Sequence, residues 1–100
     1  MGKTNNIGSF TLTTTGGPNS DGVYTISQAD GISRMGLELS SGGAATFLGS
    51  ANINALGGIS TAIDITPQVP LLISTNNENE FIDTVVITVT SGTITVVLGQ

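Results

Sequence analysis

No window of eleven or more residues free of glycine carries helical periodicity in this chain, and that feature removes a helical core from consideration. Fourteen glycines and three prolines break 100 residues into short runs. Between the breaks, apolar and polar residues alternate with a period of two, the spacing of a strand with one buried face. The polar partners are mostly Ser, Thr and Asn, and the apolar ones mostly Ile, Val and Leu. Thr, Ile and Val are β-branched, stiff at χ1 and suited to a pleated surface.

The alternation predicts strands over residues 9–15, 23–27, 32–40, 46–48, 59–66, 71–75, 81–90 and 93–98. In 32–40 it sets Met35, Leu37 and Leu39 against Arg34, Gly36 and Glu38, a half-buried strand with a wet face. Residues 16–22, 29–31, 41–43 and 76–80 read as turns and loops, being built from Gly, Pro, Asn, Asp and Ser. Residues 49–58 fit either one helical turn or an irregular loop. Pro67 and Pro70 lack an amide hydrogen to donate and mark an edge crossing or a corner between two sheets. Ser91-Gly92 reads as a tight hairpin that sets Val85, Ile87 and Val89 beside Ile94, Val96 and Leu98. Seven or eight short strands with frequent turns make an all-β, antiparallel sandwich or barrel with a C-terminal hairpin. The expected organisation is a flexible N-terminal arm over residues 1–8 and a single domain over 9–100.

Composition narrows the function. The chain has no His and no Cys, so it lacks the usual zinc ligands, a thiolate nucleophile and any Ser-His or Cys-His pair. Its basic side chains are Lys3 and Arg34, against seven acidic ones, for a net charge of -5. Two cations cannot neutralise a run of phosphates, so nucleic acid is not an expected partner. No apolar run approaches the roughly 20 residues of a membrane helix, and no membrane partner is expected. No motif implies a cofactor.

Three groups of residues are candidate sites. Asn76, Glu78, Glu80 and Asp83 space oxygen ligands along one loop, as a calcium site needs, although the glycine of an EF-hand loop is missing. Asp21, Asp30, Glu38 and Asp64 are the carboxylates available for a hydrolytic pair; any sandwich brings some acids within reach of one another, and an enzyme is not expected. Arg34 is the cation of the folded region, a candidate contact to a neighbouring subunit, or else a local partner of Glu38 on the same strand face.

The collective feature is charge depletion. Only 9% of residues are charged, against about 25% in an ordinary soluble domain. Monomers shield sheet edges with Lys, and Lys is missing from the domain. A hydroxyl-rich face is cheaper to desolvate than a charged one. Such faces suit permanent packing against copies or partners.

Residues 31–43 (GISRMGLELSSGG), 60–75 (STAIDITPQVPLLIST) and 81–98 (FIDTVVITVTSGTITVVL) read as a mid-chain strand, a Pro/Gly-marked corner and a closing hairpin. In that order they resemble small auxiliary virion proteins of tailed bacteriophages, over roughly residues 23–98. The resemblance implies a jelly-roll-like sandwich and a non-enzymatic capsid decoration or auxiliary head protein. It also implies a homo-oligomer, commonly a trimer, bound to the major capsid or another virion protein, and localisation in the virion assembled in the host cytoplasm. The alternative is a tail, fibre or adhesive module that recognises carbohydrate or calcium.

Overall fold

A computed structural model describes residues 6–17, 20–50, 52–54, 61–76 and 80–99. The strands are β1 (Asn6–Thr13), β2 (Val23–Ser27), β3 (Arg34–Leu39), β4 (Ala44–Gly49), β5 (Ile53–Asn54), β6 (Ile63–Asp64), β7 (Leu71–Thr75), β8 (Thr84–Ser91) and β9 (Thr93–Gly99). They form a five-stranded sheet in the order β1-β9-β3-β7-β5 and a four-stranded sheet in the order β2-β8-β4-β6. Every strand pairing is antiparallel. The fold is the expected antiparallel β-sandwich.

Successive strands alternate between the two sheets from β1 to β9, so each connection crosses the sandwich. The pairing is therefore nested: β1 with β9, β2 with β8, β3 with β7 and β4 with β6.

This nesting corrects the expected C-terminal hairpin. β8 and β9 lie in different sheets, and the chain turns a corner between them at Gly92. Gly92 has φ +79, a left-handed conformation that glycine adopts without steric cost. The corner packs on the 40–43 turn between β3 and β4. A Cβ on Gly92 would lie 2.7 Å from Ser40 Oγ and 2.8 Å from the Cα of Gly43. The Thr93 amide donates to Ser40 Oγ at 3.0 Å, and the Ser40 amide donates to the Thr93 carbonyl at 2.9 Å. Two crossings are thus stapled together at one end of the sandwich.

Other boundaries shift. β1 begins at Asn6, so Asn6 and Gly8, expected in the arm, pair with Gly99 and Leu98 of β9 around a register shift; residues 1–5 of that arm lie outside the described residues. The 49–58 stretch contributes the short strand β5 where one helical turn or a loop was expected, with residues 51 and 55–58 outside the described set. The proline segment lies between β6 and β7, which belong to opposite sheets, so it is a corner as expected. There the Gln68 amide reaches across to the Leu39 carbonyl at 2.8 Å.

The core lies between the sheets and is built from aliphatic and aromatic side chains, Tyr24 included; among the described residues no other polar or charged side chain is buried. Leu37, Leu39, Ile73, Ile94 and Val96 point inward from one sheet, and Ile26, Phe47, Val85 and Ile87 from the other. Phe10 of β1 and Tyr24 of β2 join the sheets at one edge through an edge-on ring contact, with centroids 4.6 Å apart.

Candidate interaction face

Because the inward positions are fixed by the core, the outward positions of each sheet follow from strand register. On the five-stranded sheet, β9 and β3 align Val97 with Gly36, and β3 and β7 align Gly36 with Leu72. Ser9 of β1 extends this row beside Val97. The neighbouring row sets Gly99, Arg34 and Ser74 side by side, and the row on the other side sets Thr11, Thr95 and Glu38 side by side.

Val97 is 40% exposed and Leu72 is 75% exposed. Gly36 between them has no side chain, so the two apolar residues form the banks of an open groove of about 600 Å³ with Arg34 at one end. The groove is not forced by crowding. A Cβ on Gly36 would meet only Leu72 Cδ2, at 3.5 Å, an ordinary contact.

Arg34 is exposed and lies across the end of β9. A Cβ on Gly99 would sit 2.9 Å from Arg34 Nε. Arg34 and Glu38 share this outer face as expected, one on each side of Gly36, but among the described residues no ion pair joins them. Along β3 the outward face therefore runs cation, glycine, anion.

The outer face of the four-stranded sheet is different. Thr25, Val86 and Leu48 form one row, and Val23, Thr88, Thr46 and Asp64 the next. Asp64 is the charged side chain in these rows. Glu38 and Asp64 sit on opposite outer faces of the sandwich, so the structure does not bring these two carboxylates together. Asp30 closes a local turn instead, its Oδ2 accepting from the Ser27 amide at 2.8 Å.

The oxygen-rich loop is only partly described. Glu78 lies outside the described residues; Asn76 and Asp83 are exposed, and Glu80 is half-buried with Oε1 out of contact with solvent. Among the described residues no three His, Cys, Asp or Glu side chains converge as a metal site would need. What holds the return of this loop is Asn52, which the sequence reading did not single out. Its Nδ2 donates to the Phe81 carbonyl at 2.8 Å, and its Oδ1 accepts from the Asp83 amide at 3.2 Å and from Ser50 Oγ at 2.8 Å.

The acidity of the Tyr24 phenol is shifted. Burial, with a smaller contribution from the Asp30 carboxylate, pushes its phenol up to about 12. Both effects disfavour the phenolate.

Leu72 and Val97 were legible in principle. Each belongs to an apolar doublet, Leu71-Leu72 and Val96-Val97, and in a strand the two members of a doublet must face opposite sides. Val85-Val86 and Phe47-Leu48 obey the same rule on the other sheet.

Comparison with protein-family models, with curated proteins and with solved structures gives no match.

Proposed function

We propose that this chain is a non-enzymatic assembly module that buries its outer faces against copies of itself and against a larger protein surface, as an auxiliary component of a virion does. The observation that carries the reading is the row Ser9, Val97, Gly36 and Leu72: exposed apolar side chains in the middle of a regular sheet face whose flanking rows hold Ser74, Thr11 and Thr95 with one cation, Arg34, and one anion, Glu38. Covering such a face removes apolar area from water and desolvates few charges. We read the nested strand pairing as jelly-roll-like, in keeping with the resemblance to phage auxiliary proteins. A virion offers many equivalent sites, so modest faces of this kind gain from multivalency.

The test is light scattering on the purified chain across a concentration series. The reading expects masses above the 10.1 kDa of one copy at micromolar concentration. A single species of monomer mass throughout that range overturns it.

A further inference from the structure

We propose that the outer face of the five-stranded sheet pairs with the same face of a second copy about a two-fold axis that passes over Gly36 and runs across the strands. This rests on the self-association proposed above and names the face and the symmetry.

The argument is one of charge order. Side chains on one face of a strand recur every second residue, so Arg34 and Glu38 stand on either side of Gly36 at about 6.6 Å each. A two-fold axis lying in the interface and perpendicular to β3 reverses the strand direction and leaves Gly36 facing Gly36. The operation carries the Arg34 of a second copy over Glu38, and its Glu38 over Arg34. Two reciprocal ion pairs form, and no like charges on β3 are opposed. Among the described residues neither side chain has an ion-pair partner that the new pairs would have to displace.

The apolar residues obey the same operation. Leu72 and Val97 lie on either side of the axis point, on β7 and β9, and this axis preserves their side. Leu72 therefore meets Leu72 and Val97 meets Val97 above the groove. Facing sheets pack about 10 Å apart, a gap that two opposed aliphatic side chains fill. An axis along the strands would instead oppose Arg34 to Arg34 and Glu38 to Glu38, so the charges select one two-fold from the two.

The area sets the strength. Four strands at roughly 4.8 Å spacing and about six residues at roughly 3.3 Å rise give a face of roughly 400 Å² in projection. A corrugated face exposes more than its projection, which places this contact toward the low end of specific interfaces, where about 800 Å² per partner is standard. A dimer that dissociates in the micromolar range is the consequence.

The experiment is sedimentation equilibrium on the whole chain and on three variants, R34E, E38R and the double swap R34E/E38R. Arg34 and Glu38 are exposed, and circular dichroism checks that each variant keeps the fold. Each single swap sets like charges against each other at both ends of the axis and is expected to weaken the dimer about tenfold or more. The double swap rebuilds both pairs with the signs exchanged and is expected to restore the wild-type constant.

Net charge separates this from general repulsion. R34E moves the chain from -5 to -7, E38R moves it to -3, and the double swap returns it to -5. Simple repulsion would make E38R tighter; the two-fold pair makes it weaker. A wild-type oligomer indifferent to all three variants overturns this face while leaving self-association standing. So does a three-copy mass, or dissociation by Val86→Asp on the other sheet with no effect of Leu72→Asp. A wild-type monomer at every concentration overturns both proposals.

Discussion

The corner at Gly92 gives the sharpest stability test. Replacing Gly92 by Ala introduces two costs that the structure separates. The first is conformational: φ is +79, and a left-handed residue with a Cβ costs roughly 1–2 kcal/mol. The second is steric: the new Cβ would stand 2.8 Å from the Gly43 Cα, which is main chain and moves only if the 40–43 turn moves. Overpacking of that kind adds roughly 1–3 kcal/mol. Against both stands the entropy that Ala removes from the unfolded chain, about 0.4–1 kcal/mol. The net expectation for Gly92→Ala is a loss of about 2–4 kcal/mol. Gly42 isolates the first cost, because its φ is +76 but nothing lies within 4 Å of its Cβ position. Gly42→Ala should lose only about 0.5–1 kcal/mol. Gly8 carries neither cost, having open space and no positive φ, and Gly8→Ala should be neutral or slightly stabilising. Urea unfolding followed by circular dichroism measures all three at one protein concentration. At about 4–8 °C per kcal/mol for a domain of this size, Gly92→Ala should melt roughly 8–30 °C lower. Equal losses at Gly92 and Gly42 would refute the packing of the corner on the turn, and with it the stapling of the two crossings.

Three further predictions follow from other parts of the molecule. Tyr24 is the only tyrosine and there is no tryptophan, so the phenolate absorbance reports one group; it should titrate at about 12 while the protein stays folded. Because that value lies above the ordinary 10, the stability linked to Tyr24 is fully present below pH 10 and is lost as pH rises toward 12; ionisation near 10 in folded protein would contradict the burial of the hydroxyl. Asn52→Ala removes three hydrogen bonds at the return of the 76–83 loop, should cost about 1–2 kcal/mol, and should speed hydrogen exchange at the Asp83 amide before any global opening. Millimolar calcium should leave the melting temperature unchanged; a clear rise would favour the calcium-dependent adhesive alternative at Asn76, Glu78, Glu80 and Asp83.

The inward and outward parity of the strands was legible because it depends only on the period of two. Met35, Leu37 and Leu39 face the core as their alternation requires. Sheet membership was not legible, and the closing segment shows why. In a hairpin, Val85, Ile87 and Val89 would lie beside Ile94, Val96 and Leu98 on one face. At a corner the same six residues face one another across the sandwich. Both arrangements bury the same positions, so the hydrophobic pattern cannot choose between them. What distinguishes the corner is non-local: Gly92 sits against the 40–43 turn, a contact between segments about fifty residues apart. The face was half legible in the same sense. Arg34 and Glu38 could be assigned to one side of β3 from parity alone, whereas the placing of Leu72 and Val97 on either side of Gly36 needed the register of three strands.

The nested pairing also governs when the protein can become folded. Among the described residues β1 pairs with β9 alone, so the first of these nine strands to be synthesised waits for the ninth. β9 in turn sits between β1 and β3, and without it the five-stranded sheet falls into two pieces. Such pairings between distant parts of a chain close large loops and form slowly. During synthesis β1 therefore remains an unpaired strand carrying Phe10 and Leu12, the kind of edge that is prone to aggregate, until β9 has emerged from the ribosome.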